Sequence, residues 1–148
     1  MATIEKRKKQ ADFSNLYELE MSKVDWEDFF NGIVLFNEGH FWRSHEFWED
    51  IWKRHSENSR IFFQGLIQAA AGLHQLQRGV FHGADKHLQN ALWKLKPFQP
   101  EYLTVDVAGF VVTLGKCHHE LLRLGRKNIA LIQGEFIPKI KILKSLQI

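Results

Sequence analysis

The sequence predicts an all-α protein, a compact bundle of about five main helices with a flexible N-terminal arm. Apolar residues recur every three to four positions in five separate stretches, the spacing of helices that bury one face. No stretch alternates apolar and polar residues for long enough to build a sheet. Of the 148 residues, 45% are apolar and 25% are charged. That composition is ordinary for a soluble globular domain with one core.

The helices are expected in five consecutive segments. The first begins near Trp26, where Ser22 or Asp25 can act as the N-cap. Glycines, prolines and polar loop residues separate the others, which we expect at about residues 40–55, 61–77, 82–95 and 104–124.

The third predicted helix is the most apolar. Small residues recur along it at Gly65, Ala69 and Gly72, so a neighbouring helix can approach this ridge closely. Beyond Gly125 the helical pattern weakens, and the apolar residues near the C-terminus predict a final element that packs back on the bundle.

Positive charge is concentrated at the two ends of the chain. The first ten and the last ten residues each carry +3, and the whole chain also carries +3, so the body between them carries −3. A nucleic-acid-binding protein usually carries its positive charge on the folded surface. We therefore expect no dedicated nucleic-acid surface. We divide the chain into a flexible basic arm at residues 1–20 and a single helical domain at residues 21–148.

The sequence also favours a cytoplasmic location. A single cysteine, Cys117, excludes an internal disulfide and suits a reducing compartment. No stretch approaches the roughly 18 apolar residues of a membrane span, and no apolar signal core follows the basic N-terminal residues. The oligomeric state stays open, although aromatic residues around Trp26 or Trp93 would suit a homodimer interface.

The segment from Phe36 to Trp52 holds the densest group of candidate functional residues. His45, Glu46 and Glu49 spell His-Glu-x-x-Glu, and a helix places His45 and Glu49 on one face. In the zinc motif His-Glu-x-x-His, the histidines bind the metal and the glutamate activates water. Here Glu49 replaces the second histidine, and zinc also accepts carboxylate oxygen. Alternatively, His45 and Glu49 form a hydrogen-bonded pair that anchors the helix, with Glu46 in solvent.

Gln64 and Gln68 are polar residues on the otherwise apolar third helix. If this helix packs antiparallel to the second, both amides meet His45 and Glu49, and His74 extends the polar seam. The same residues would also suit an exposed helix stripe, and both interpretations stay open. A catalytic zinc needs about three protein ligands, so His74 or another histidine would have to complete the set.

The sequence gives less support to other kinds of metal, catalytic or ligand site. The chain contains no Glu-x-x-His, which argues against a di-iron carboxylate bundle. It also lacks a glycine-rich phosphate loop, a nucleophile elbow and a paired-cysteine metal motif. Three tryptophans, Trp42, Trp48 and Trp52, recur at helical spacing, which is more typical of a core than of a ligand platform.

Two motifs and a dipeptide carry a resemblance to a known family: Phe36-Asn37-x-Gly39-x-Phe41-x-x-x-His45-Glu46-x-x-Glu49-x-x-Trp52, Phe63-Gln64-Gly65-Leu66-Ile67-Gln68-x-Ala70-Ala71-x-x-His74, and Gly83-Ala84. They resemble the domain of unknown function family 309 over about residues 26–124. This resemblance implies a small all-helical protein with a metal-dependent hydrolase among its suggested activities. The family's characteristic polar positions fall on His45, Glu46, Glu49, Gln64, Gln68 and His74. Arg43 stands where relatives often place an acid, which removes one candidate carboxylate.

Two hypotheses about function follow. In the first, the pocket binds a divalent metal through His45, Glu49 and His74 and activates water for hydrolysis, with Glu46 and Glu49 as candidate catalytic residues. In the second, the pocket is a structural hydrogen-bond network or a small-ligand site, and the protein is a non-enzymatic binding domain. The expected pocket residues are His45, Gln64, Gln68 and Trp52. The sequence names no substrate.

Overall fold

The computed structural model describes residues 12–143 and confirms the all-α fold. Its five helices are α1 (Lys23–Asn37), α2 (Phe41–Arg54), α3 (Ile61–Gln77), α4 (Phe81–Leu95) and α5 (Val107–Asn128). Between α4 and α5, an antiparallel hairpin pairs β1 (Glu101–Tyr102) with β2 (Val105–Asp106). The sequence did not predict this hairpin because two-residue strands show no alternation. Within residues 12–143, none of the helices combines the length and apolar composition needed to span a bilayer.

The N-terminus of α1 uses both of the capping residues that the sequence offers. The Ser22 hydroxyl accepts a hydrogen bond from the Asp25 backbone N–H at 3.0 Å. The Asp25 carboxylate accepts one from the Ser22 backbone N–H at 3.1 Å. This reciprocal arrangement is a capping box, and it satisfies donors that a helix start leaves unpaired.

The core is centred on α3, which packs against α2 on one side and α4 on the other. A Cβ added at Gly65 would lie 2.8 Å from the Leu95 side chain, and one at Gly72 would lie 2.9 Å from Leu88. The predicted ridge of small residues is therefore real, and α4 is the helix that approaches it. In contrast, α2 and α4 barely contact each other, so a groove runs between them along α3.

The chain before α1 follows the folded body. The Tyr17 backbone N–H donates to Ser59 Oγ at 2.8 Å. The Leu19 backbone N–H donates to the Tyr102 hydroxyl at 3.0 Å, and Leu19 is buried. Residues 12–20, which the sequence assigns to the arm, thus contact the helical body in part. The remainder of the predicted arm, residues 1–11, lies outside the described residues.

The chain after α5 also returns to the bundle. The Asn37 amide donates to the Ile140 carbonyl at 2.9 Å and accepts from the Ile140 N–H at 2.7 Å. Ile142 forms an isolated antiparallel bridge to Val105. These contacts join the C-terminal segment to the end of α1 and to the hairpin, as the sequence predicts.

The two tryptophans expected at a dimer surface have aromatic neighbours within the chain. Trp26 stacks on Phe30 with ring centroids 5.6 Å apart. Trp93 packs edge-on against Phe13 at 4.9 Å and is 37% exposed. The homodimer stays a prediction.

Candidate functional site

The groove between α2 and α4 opens into a cleft of about 1120 Å³. Ligand sites in proteins usually measure about 300–1,000 Å³, so the cleft is large enough for a small molecule. Its lining comes from the segment before α1, from α2, from the loop before α3, from α3 itself and from α4: Asp12, Trp42, His45, Glu49, Trp52, Ser56, Glu57, Asn58, Arg60, Ile61, Gln64, Ile67, Gln68, Ala71, His74, Gln75, His87 and Lys94.

Helix α2 presents two different stripes to its neighbours. The core stripe is fully buried and consists of Phe41, Ser44, Trp48 and Ile51. The cleft stripe lies one position further along the helix and consists of Trp42, His45, Glu49 and Trp52. Successive helical residues differ by about 100°, so the two stripes face different surroundings. The expectation of a tryptophan core is right for Trp48, whereas Trp42 is 52% exposed and Trp52 lines the cleft.

His45 and Glu49 form the predicted pair. His45 Nε2 lies 3.2 Å from Glu49 Oε2. His45 Nδ1 lies 2.8 Å from the Trp42 carbonyl oxygen, which can only accept, so Nδ1 carries a proton and donates it. The His45 side chain is 12% exposed but that of Glu49 is 43% exposed. The pair therefore sits at the cleft mouth, with its imidazole inside and its carboxylate largely in solvent.

The polar residues of α3 point into the cleft. Gln68 is buried, and Gln64 Oε1 accepts a hydrogen bond from Lys94 Nζ at 3.3 Å. The His74 ring lies 5.2 Å from the Trp42 ring. All three line the cleft with His45 and Glu49, as the polar-seam interpretation expects.

The structure does not bring Glu46 to this site. Glu46 is exposed and is not among the residues that line the cleft. On α2 it follows His45 by one position, so its side chain points about 100° away. The hypothesis that Glu46 serves as a base in this cleft therefore has no support from its position.

The cleft wall contains polar atoms that lack partners. Within residues 12–143, four buried side-chain atoms have no hydrogen-bond partner, and three belong to residues of the cleft: Trp52 Nε1, Gln68 Oε1 and Gln75 Oε1. Leaving such an atom unsatisfied costs about 1–3 kcal/mol. The cleft thus offers one donor and two acceptors that the chain itself does not use.

Two basic side chains that lie at one end of the cleft were not identified from the sequence. Lys94 on α4 is 3% exposed, and the Arg60 guanidinium lies 4.0 Å above the Trp52 ring. Lys94 lies seven positions after His87 on the same helix, and both line the cleft. This seven-residue spacing places His87 and Lys94 on the same side of α4, next to its apolar face, and it could have identified Lys94 from the sequence.

A charged network borders the same end of the cleft. Asp25 accepts hydrogen bonds from Arg54 Nε at 2.7 Å and His55 Nε2 at 2.8 Å. Burial alone would raise the pKa of Asp25, but the hydrogen bonds from His55, Arg54 and the Ser22 backbone hold that pKa below its ordinary value. On its other side, His55 Nδ1 lies 3.5 Å from Glu57, a cleft residue. The network ties the start of α1 to the end of α2.

The donor geometry does not fit a catalytic metal. Among residues 12–143, no three His, Cys, Asp or Glu side chains are grouped closely enough to hold an ion. His45, Glu49 and His74, the predicted ligands, therefore do not form a metal-binding set. A catalytic zinc needs about three such ligands.

Fold and site together define an all-α domain with a polar cleft built around a His-x-x-x-Glu-x-x-Trp stripe. Residues 29–87 match the model of the family described as Domain of unknown function (DUF309), so this segment of the chain is similar to that family. The match confirms the resemblance read from the motifs, over a shorter span than the expected 26–124. It includes the predicted site residues but ends before Lys94. No curated protein and no solved structure matches the chain.

Proposed function

We propose that this protein binds a small polar molecule in the cleft along α3. The observation that carries the proposal is the set of three unpartnered polar atoms, Trp52 Nε1, Gln68 Oε1 and Gln75 Oε1. Buried polar groups in proteins are nearly always hydrogen-bonded. The presence of three such unpartnered atoms in one cleft is typical of a binding site in which the ligand supplies the missing hydrogen bonds.

The shape and composition of the cleft support the same proposal. Ligand sites combine aromatic surface with a few convergent polar groups, and the indoles of Trp42 and Trp52 provide that surface here. The amides of Gln64 and Gln68 lie one helical turn apart on α3, so they face the cleft together. The His45 ring is fixed by its bond to the Trp42 carbonyl, which gives the site a rigid edge.

The geometry gives less support to the metal-dependent hydrolase. That function needs a third ligand beside His45 and Glu49, and the His74 ring packs against Trp42 instead. We therefore assign no catalytic step, and we treat the His45–Glu49 pair as part of the binding wall.

Substitution of Gln68 by leucine tests the proposal. Gln68→Leu removes an unsatisfied buried oxygen, so the free energy of unfolding without ligand should stay within about 1 kcal/mol of the wild-type value or rise. Binding should be lost. We would screen water-soluble fragments by ¹H–¹⁵N NMR and expect hits that shift the Trp52 indole signal and α3 amides, with the shifts absent in Gln68→Leu.

The matched control is Gln133→Leu, an exposed glutamine outside the cleft, which should change neither binding nor stability. The proposal fails if no fragment shifts the cleft signals. It also fails if Gln68→Leu costs 2 kcal/mol or more (about the value of a charged hydrogen bond), because Gln68 would then belong to a structural network.

A further inference from the structure

We infer that the ligand is a nucleotide, with its base against Trp42 and its phosphates at Lys94 and Arg60. This inference rests on the proposed binding function and names the chemical class of the ligand. The inference follows from the two ends of the cleft, one of which is basic and the other aromatic.

The first end is basic. Lys94 is the one lysine or arginine among the buried residues of the described chain. Lysine is rarely buried because its ammonium loses hydration. Its Nζ lies at the cleft wall, 3.3 Å from Gln64 Oε1. Arg60, four residues before Gln64, adds a guanidinium whose Nη1 donates to the His55 carbonyl at 2.8 Å. Lysine and arginine side chains are the usual protein partners of phosphate.

The second end is aromatic. Trp42 lines the cleft and is 52% exposed, and the centroid of its ring lies 4.4 Å from the His45 ring and 5.2 Å from the His74 ring. Exposed indoles bind flat heterocycles by stacking, and every nucleobase has a face for such a contact. Nearby Gln75 has an unpartnered amide oxygen that would accept from a ring N–H or an exocyclic amino group.

The distance between the two ends fits one molecule. Ten residues of α3 separate Gln64, beside Lys94, from His74, beside Trp42. At 1.5 Å per residue these positions are about 15 Å apart, comparable with an extended nucleoside polyphosphate. Between them, Gln68 offers a second unpartnered oxygen. The cleft volume of about 1120 Å³ is sufficient for such a ligand.

The acids in the cleft have partners of their own. Glu49 pairs with His45, and Glu57 lies 3.5 Å from the His55 ring. Asp12 accepts from both the hydroxyl and the backbone N–H of Ser14. The Ser14 contacts leave the negative charge of Asp12 in place, so only the histidine contacts of Glu49 and Glu57 can offset part of the repulsion on a phosphate at Lys94.

Isothermal titration calorimetry with adenosine triphosphate and guanosine triphosphate tests the inference. At least one of them should bind. Its two halves, the free nucleoside and inorganic tripolyphosphate, should each bind at least tenfold more weakly. Lys94→Met should weaken nucleotide binding at least tenfold and leave nucleoside binding unchanged. Lys96→Met, at an exposed lysine two residues later, is the matched control and should have no effect.

Trp42→Ala keeps the test decisive if Lys94→Met does not fold, because Trp42 is largely exposed. It should reduce the affinity for the nucleotide but not for tripolyphosphate. The inference is overturned if neither nucleotide binds at millimolar concentration, if tripolyphosphate binds as tightly as the nucleotides, or if Lys94→Met and Lys96→Met have equal effects. Fragments that still bind the cleft would then leave the proposed function intact, whereas an absence of fragment binding would refute both.

Discussion

The two stripes of α2 use the same residue type in opposite ways. Trp48 in the core stripe is fully buried, and its Nε1–H donates to the Phe29 carbonyl at 3.3 Å. Trp52, four residues later in the cleft stripe, also has a buried Nε1, but this atom has no partner. The hydroxyl of Ser44 in the core stripe likewise donates to the Gly32 carbonyl at 2.8 Å. In the core stripe, the side-chain donors of Ser44 and Trp48 are hydrogen-bonded, whereas the cleft stripe contains a buried donor without a partner.

This difference separates stability from function. The core stripe fits its surroundings so closely that a Cβ added at Gly32 would overlap the Trp48 indole nitrogen. Packing of this density fixes the position of α2. The cleft stripe is held on the same rigid helix, so its side chains are positioned for a ligand without having to stabilise the fold themselves.

The largest expected effect distinguishes the tryptophans of the two stripes. Trp48→Ala should lower the free energy of unfolding by about 3–5 kcal/mol, because it leaves a cavity and removes the hydrogen bond from the indole to the Phe29 carbonyl. Trp42→Ala should cost less than about 1 kcal/mol, since its ring is 52% exposed. Urea unfolding of both variants measures this contrast. Equal losses would show that the cleft stripe is also a structural element.

A smaller effect concerns Asp25, a buried charge with partners on every side. Asp25→Asn should cost about 1.5–3 kcal/mol near neutral pH, because it weakens the bonds from Arg54 and His55. The folded-state pKa of Asp25 lies below its ordinary value of 3.8. Its stabilising contribution is therefore present above pH 3.8 and is lost as the pH falls through the lower, folded-state value.

The pH dependence of unfolding measures this contribution. The stability gap between the wild type and Asp25→Asn should narrow as the pH drops below about 4, whereas Asp50→Asn, at an exposed carboxylate on α2, should show no gap. A gap that is constant down to pH 2 would contradict the paired-charge description.

The smallest effect is expected at the cleft mouth. If Glu49 were a buried charge, its removal would cost several kcal/mol. In the structure its side chain is 43% exposed, so Glu49→Ala should lower the free energy of unfolding by about 0.5 kcal/mol, as for an exposed helical pair. Glu46→Ala on the same helix is the control, with no expected loss. A loss above 2 kcal/mol for Glu49→Ala would show that the cleft stripe, like the core stripe, stabilises the fold.

Helix positions were largely predictable because they depend on local patterns. Residues 61–77 were expected as a helix, and α3 occupies Ile61–Gln77. The capping residues Ser22 and Asp25 were both identified, since side-chain caps have a fixed spacing. Gly125 was expected to end the last helix, and its φ of +71° interrupts α5 at that point, after which a short helical segment continues to Asn128.

The candidate site was only partly predictable. His45, Glu49, Gln64, Gln68 and His74 were chosen from spacing and polarity, and all of them line the cleft. Lys94 was missed because the burial of a lysine depends on which helix covers it. Glu46 was included by analogy with the motif His-Glu-x-x-His, in which the glutamate activates water, but here it is exposed and does not line the cleft.

Helical periodicity is set by residues three and four apart, so the amino-acid pattern alone predicts five helices and the polar positions on α2 and α3. The pattern does not predict which stripe of α2 lies in the core and which lines the cleft. That depends on how the helices pack: α2 and α4 both pack on α3 but barely contact each other. The space between them exists only once all three helices are assembled.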